Sequence, residues 1–189
     1  MKALKFIGIG LLGLVVLLAA VGFILPRQVR VERSLVMKAQ PRSVYDQINN
    51  LRNWEVWSPW HQIDPEMKLT YGAKAEGEGA TYNWTSQHDQ VGDGKLTILS
   101  AKQDQEIVTE MVFGGEMKSL GIYKLEPVAE GTKLTWIMES DMGMNPVYRY
   151  MGLMMDDWVG ADFERGLANL QAVVEAPIST PATPEVAVK

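Results

Sequence analysis

Few residues in this chain are suited to chemistry. It has no cysteine and only two histidines, His61 and His88. A thiolate zinc site, an iron–sulfur cluster, a disulfide scaffold and a cysteine nucleophile are therefore excluded, and a histidine-rich metal centre has too few ligands. Both histidines lie in polar surroundings and are expected to be exposed. One carboxylate stands in an unusual place. At about 100° per residue, Asp162 falls beside Met151 and Met155 on an apolar helical stripe, away from Asp157 and Glu164. A carboxylate there requires a partner. It could be a general acid or base with a raised pKa, hold a ligand hydroxyl, or bond to a strand backbone or an aromatic donor. Arg33, turned to the apolar side by the alternation of its strand, is the nearest candidate counter-ion. Tyr82 and Tyr123 are the other proton-transfer candidates. The sequence holds no Gly-rich phosphate loop between a strand and a helix and no serine elbow, and it calls for no cofactor.

A second group of residues is suited to binding rather than reaction. Met138, Met142, Met144, Met151, Met154 and Met155 cluster around the last strand and the following helix. Methionine is unbranched and polarizable, so such a cluster suits an apolar ligand of variable shape, or simply a soft core. Trp84 and Trp136 alternate onto an apolar face, whereas Trp54, Trp57 and Trp60 are expected to close one end of the core. Gly152 and Gly166 lie on the apolar side of the helix, where each costs about 1 kcal/mol relative to alanine. They allow either close approach to the sheet or a void for a ligand. The candidate ligand-binding set is Tyr82, Trp84, Met111, Phe113, Trp136, Met138, Met151, Met155, Asp162 and Gly166.

These positions depend on two kinds of element. Residues 29–37 alternate as a half-buried strand, and Pro41 opens a helix with Val44, Tyr45, Ile48 and Leu51 on one face. The segment 54–60 reads as a packed loop or short helix that stops at Pro59. Six further strands are predicted over 67–72, 79–87, 94–101, 106–113, 117–126 and 132–141, divided by Gly77-Glu78-Gly79, Gly92-Asp93-Gly94, Gly114-Gly115 and Glu130-Gly131. That spacing suits an antiparallel meander. Leu134, Trp136 and Met138 oppose Lys133, Thr135 and Glu139, giving one dry and one wet face. One long helix over 146–175 supplies the cover for the dry face, with Tyr148, Met151, Met155, Val159, Phe163, Leu167, Leu170 and Val174 on its stripe.

The two ends are different in kind. Phe6 to Leu25 is an uncharged run of 20 residues, 14 of them Leu, Ile, Val or Phe. At about 1.5 Å per residue it matches a bilayer's hydrocarbon core, about 30 Å. A cleaved signal peptide is the competing reading, with Lys2 and Lys5 as its basic start and Ala20-Val21-Gly22 as the cleavage site, although the run exceeds the usual apolar length of about 7–15 residues. The expected organisation is a transmembrane anchor over 1–26, a globular domain over 27–175 and a disordered Pro-rich tail over 176–189. The chain is then single-pass, with the domain expected on the non-cytoplasmic side, although Arg27, Arg30 and Arg33 follow the span as Lys2 and Lys5 precede it. Beyond Pro26 the chain carries 16 bases against 23 acids. That balance argues against nucleic acid as a partner.

The order strand, short helices, six strands, long helix resembles a known family on particular residues. Ser34-Leu35-x-Met37-x-Ala39-x-Pro41, Trp57-Ser58-Pro59-Trp60, Gly77-x-Gly79-Ala80-x-Tyr82-x-Trp84 and the segment from Asp162 to Leu170 are similar to the polyketide cyclase/dehydrase-like branch of the SRPBCC (START-like) superfamily. The resemblance covers residues 29–174. It implies an α+β helix-grip fold, a seven-stranded curved antiparallel sheet packed on a long C-terminal helix, around an elongated apolar cavity for a lipid, sterol or polyketide. It carries no catalytic residue over. The expected partner is a hydrophobic small molecule or lipid, drawn from the membrane that residues 6–25 span. A cyclase or aromatase on the same fold, and a protein-interaction domain with a collapsed core, are the alternatives.

Overall fold

In a computed structural model that describes residues 2–114 and 117–177, alternating strands assemble into one antiparallel sheet. They are β1 (Gln28–Met37), β2 (Lys68–Tyr71), β3 (Thr81–Thr85), β4 (Gly94–Lys102), β5 (Glu106–Phe113), β6 (Met117–Val128) and β7 (Gly131–Asp141). Their order is β1-β7-β6-β5-β4-β3-β2, so β2 to β7 form a meander and β1 closes against β7. The β1–β7 register pairs Gln28 with Asp141 and Met37 with Thr132. Ion pairs reinforce it on the solvent side, where Arg27 reaches both carboxylate oxygens of Asp141 at 2.5 Å and Arg30 pairs with Glu139. The hairpin between β6 and β7 turns at Gly131, whose φ of 140° and close approach to the backbone of Lys38 and Ala39 leave no room for a side chain.

Helices precede the sheet as α1 (Lys2–Ile24), separate β1 from β2 as α2 (Pro41–Asn49), α3 (Trp54–Trp57) and α4 (Pro59–Ile63), and follow it as α5 (Pro146–Gly152) and α6 (Met155–Val174). The sheet and its helices form the α+β helix-grip arrangement, with an apolar helix in front. Pro41 starts α2, whose Val44, Tyr45 and Ile48 are buried. The indole nitrogens of Trp54 and Trp57 donate to the carbonyls of Ile48 (2.8 Å) and Gln47 (3.3 Å), satisfying acceptors that the end of α2 leaves open. Asn169 of α6 donates to the Trp57 carbonyl at 3.1 Å, so the short helices and α6 form one cover for the sheet.

The single helix expected over 146–175 is instead two. Its stripe is continuous in sequence, but the chain breaks at Leu153 and Met154, whose amide groups bond back only three residues, to Tyr150 (3.2 Å) and Met151 (3.0 Å). That is a tightened turn, and a two-residue break is too short to interrupt the apolar periodicity. Gly152, at the end of α5, permits close approach: a Cβ there would lie 2.8 Å from the Val29 side chain. The wet face also departs from expectation, since Thr135 is buried together with Ile137. Both lie inside the sheet, flanked by β1 and β6 partners that include Glu32 and Lys124, whose long stems can cover them. The tail expected over 176–189 lies outside the described residues from 178 onward.

Candidate functional site

The dry face of the sheet is divided into a solid half and an open half. Trp136 occupies the solid half. Its ring stacks on Phe163 of α6 with centroids 3.9 Å apart and planes 11° from parallel. Trp57, Trp60 and Tyr123 surround it at 5.8, 5.9 and 5.1 Å. Gly166 of α6 lies over the same ring, and a Cβ there would come within 2.7 Å of Trp136 and 3.0 Å of Pro59. The glycine therefore permits close packing and leaves no void. Trp54, Trp57 and Trp136 are among the largest fully buried side chains, which places the aromatic cluster in the core.

The open half is a cleft of about 910 Å³ between the ends of β5, β6 and β7, the loop from Asp89 to Asp93, Trp60 and Ile63 of α4, and the helices α5 and α6. Among the described residues six methionines line it: Met111, Met117, Met138, Met142, Met151 and Met155. Phe113, Phe163, Tyr148 and Trp158 contribute aromatic walls. A small adjoining pocket of about 40 Å³ lies against Tyr82, Trp84, Met111 and Phe113.

The sequence candidates thus separate. Met111, Phe113, Met138, Met151, Met155 and Asp162 border the cleft, and Tyr82 and Trp84 border the small pocket beside it. Trp136 and Gly166 border neither. Met144 and Met154 are exposed outside the cleft. The cleft residues with no signal in the sequence include the Asp89–Asp93 loop, Ser119 and Arg165, which belong to no apolar periodicity, and Asp157, which the helical stripe sets on the outer side but which borders the cleft from the first turn of α6. Met142, Tyr148 and Trp158 lie in or next to the methionine-rich segment, which was the available clue.

Asp162 has a partner, and it is not Arg33. Arg165, one helical turn on, pairs with it. Arg33 instead extends across Gly160 and binds Asp156 (2.9 Å) and Glu164 (2.8 Å), because only a glycine at 160 leaves space for the guanidinium. Those two carboxylates raise the Arg33 pKa. Burial pushes the Asp162 carboxyl above its ordinary value, with Arg165 and the Trp60 side chain pulling the other way. Burial also raises the phenols of Tyr82 and Tyr123. Of these three groups only Asp162 borders the larger cleft. His61 departs from expectation: it is half-buried on α4, both ring nitrogens lack a partner among the described residues, and desolvation lowers its pKa against the pull of Glu55 and Asp64. No group of three or more His, Asp or Glu among the described residues could hold a metal ion.

The raised Asp162 pKa gives a pH dependence. A carboxyl whose folded-state pKa exceeds its unfolded one stabilises the fold most at low pH, and that contribution is lost as pH rises through the folded value. Asp162→Asn removes the charge, so it should unfold at a higher temperature than the parent at pH 7, with the gap closing as the buffer is made acidic. A variant less stable than the parent at pH 7 would show instead that the bond to Arg165 holds this wall together.

Comparison with known proteins agrees with this architecture. No curated protein matches the chain in sequence. Among solved structures, a Staphylococcus aureus protein of unknown function superposes with a TM-score of 0.60 at 17% identity, over 78% of this chain and 94% of that one. A Chromobacterium violaceum protein gives 0.56 at 16% identity, over 80% and 100%. The di-domain aromatase/cyclase StfQ of the steffimycin biosynthetic pathway gives 0.58 at 12% identity, over 78% of this chain and 51% of its own. At such identities the likeness is one of fold. Sequence supplies the stronger link, because residues 28–175, β1 through the end of α6, match the profile described as polyketide cyclase/dehydrase and lipid transport. With that match spanning most of its length, the chain belongs to the polyketide cyclase/dehydrase and lipid transport family.

Proposed function

We propose that this protein binds a hydrophobic small molecule or lipid in the methionine-lined cleft, held at a membrane by α1. The observation that carries the reading is the cleft itself. Its volume of about 910 Å³ suits a small-molecule site, for which about 300–1,000 Å³ is usual. Adaptable methionines and aromatic rings make its walls suited to an elongated apolar ligand, with the Asp162–Arg165 pair as one polar reference point for a hydroxyl or carboxyl. The helix α1 supports the membrane part, since residues 5–24 are long and apolar enough to cross a bilayer. A tether at the bilayer holds the cleft where an apolar ligand is most concentrated. In this reading the domain faces the non-cytoplasmic side, and an impermeant thiol reagent applied to intact cells would label Val56→Cys.

Titration of the detergent-extracted chain with a fluorescent fatty acid or sterol tests the binding reading. Met155 is half-buried and faces the cleft, so Met155→Trp should weaken probe binding about tenfold by occupying ligand volume, with little change in thermal unfolding. Unchanged affinity in a normally stable variant would remove the ligand from this cleft, and no uptake by the parent would remove the binding reading. Proton transfer by Asp162 on a polyketide-like substrate is the second reading, favoured by the raised pKa of that one cleft carboxyl. Turnover of an aromatic polyketide substrate that is lost in Asp162→Asn would establish it.

A further inference from the structure

The helix α5 runs beside the last two turns of α1 and is bonded to them. Tyr150 donates its hydroxyl to the Leu18 carbonyl at 2.8 Å. The buried Arg149 donates to the carbonyls of Phe23 (2.7 Å) and Leu25 (3.3 Å), where the helix leaves acceptors unpaired and its dipole is negative. Gly22 makes the contact possible: a Cβ there would lie 2.5 Å from Pro146 and 3.0 Å from the Tyr150 ring. Leu18 is seven residues before Leu25, the last of the apolar run, which places Tyr150 about 10 Å back along the helix axis. A span ending at Leu25 therefore sets α5 alongside the outer ~10 Å of the hydrocarbon, from the headgroup boundary inward.

The surface that α5 presents at this level is apolar. From Met144 to Met155 the one charged residue is Arg149, and its guanidinium is committed to backbone carbonyls. Val147, Tyr148 and Met151 of α5, Leu153 and Met154 of the turn, and Trp158 of α6 are exposed. Tyrosine and tryptophan at the edge of such a surface are the residues that favour a membrane interface. The surface is also continuous with the cleft, because Tyr148, Met151 and Trp158 line both.

We propose that the exposed face of α5 and its turn into α6 is embedded in the bilayer interface and forms the portal through which ligand passes between lipid and cleft. This rests on the reading of α1 as a membrane span. The surface meets the membrane not by chance collision but because α1 holds it there, at a depth fixed by the bonds to Leu18, Phe23 and Leu25. An apolar ligand then moves from acyl chains to methionine side chains without exposing its methylenes to water.

The absence of cysteine makes the test direct. Full-length protein is reconstituted in phosphatidylcholine vesicles carrying nitroxide lipids, with one fluorescently labelled cysteine placed in turn at Leu14, Val147, Leu153, Met154, Val56 or Leu99. Leu14 reports the anchor, while Val56 on α3 and Leu99 on β4 are exposed apolar comparators. Labels at 147, 153 and 154 should be quenched by shallow nitroxides and the label at 14 by deep ones, with those at 56 and 99 unquenched. Quenching at 14 but none at 147, 153 and 154 overturns the portal and leaves the anchor standing. No quenching at 14 defeats the anchor and the portal with it. Transfer supplies the second arm, since Leu153→Asp with Met154→Asp changes the surface without touching the cleft lining. Uptake of a fluorescent fatty acid from vesicles should slow about tenfold at unchanged final loading. An unchanged rate overturns the portal, whereas a parent that never loads defeats ligand binding in the cleft and leaves the quenching result to decide the embedding.

Discussion

Trp136→Ala should lower the unfolding free energy by about 3–5 kcal/mol, the range for removing a large aromatic from a core. The ring is fully buried on β7, stacked on Phe163 and ringed by Trp57, Trp60 and Tyr123, so its loss opens a space bounded by stiff groups that cannot collapse inward. Against a total stability of about 5–15 kcal/mol, this change leaves the domain close to its unfolding threshold. Chemical denaturation of the parent and variant measures it. A cost below about 1 kcal/mol would mean that α6 does not rest on this ring. If the variant remains folded, any loss of probe affinity should come through Phe163 and Trp60, which pack on Trp136 and line the cleft that Trp136 itself does not border.

Gly166→Leu should also destabilise, by about 1–3 kcal/mol, through overpacking rather than through a cavity. Leucine is the better helix former by roughly 1 kcal/mol, so propensity alone would predict a gain. Packing outweighs it because the first carbon of the new side chain already meets Trp136 at 2.7 Å and Pro59 at 3.0 Å, and neither ring can rotate away without disturbing the aromatic cluster. Thermal unfolding of Gly166→Ala and Gly166→Leu should show a graded loss. A leucine variant as stable as the parent would show that α6 stands farther from the sheet and that a void exists beneath it.

The fold was legible in the sequence because two periods alternate clearly. Period-two residues such as Leu134, Trp136 and Met138 define an inner face, and β7 carries all three buried as expected. The family resemblance rested on the order and spacing of such segments, and the matched residues 28–175 coincide with them. The break at Leu153–Met154 was not legible, since a two-residue interruption leaves the stripe from Met151 to Met155 almost in phase. The site was legible only by composition. A methionine-rich segment pointed to the cleft, but sequence could not separate Met138, which borders it, from Trp136 two residues earlier, because both occupy the same face of β7. Which half of a face is open depends on what lies above it, and that is decided by α3, α4 and α6 together. The partner of Asp162 was equally hidden: Gly160 makes room for Arg33 to reach Asp156 and Glu164, and no pattern in the chain announces that route.

The pairing of β1 with β7 has a consequence for the order of events during synthesis. The strand β1 is among the first parts of the domain to emerge, yet its hydrogen-bonding neighbour ends at Asp141, more than a hundred residues later. At about 5–20 residues per second, translation leaves that edge open for a time on the order of ten seconds. The meander from β2 to β6 can form during the delay from local hairpins, whereas the last closure is a distant one and should limit the folding rate. Throughout that wait β1 follows directly on an apolar helix. The strand exposed longest is therefore also the one that carries Arg30 and Arg33, with Arg27 just before it, charges that keep an open edge from pairing with the wrong chain before Asp141, Glu139, Asp156 and Glu164 arrive to meet them.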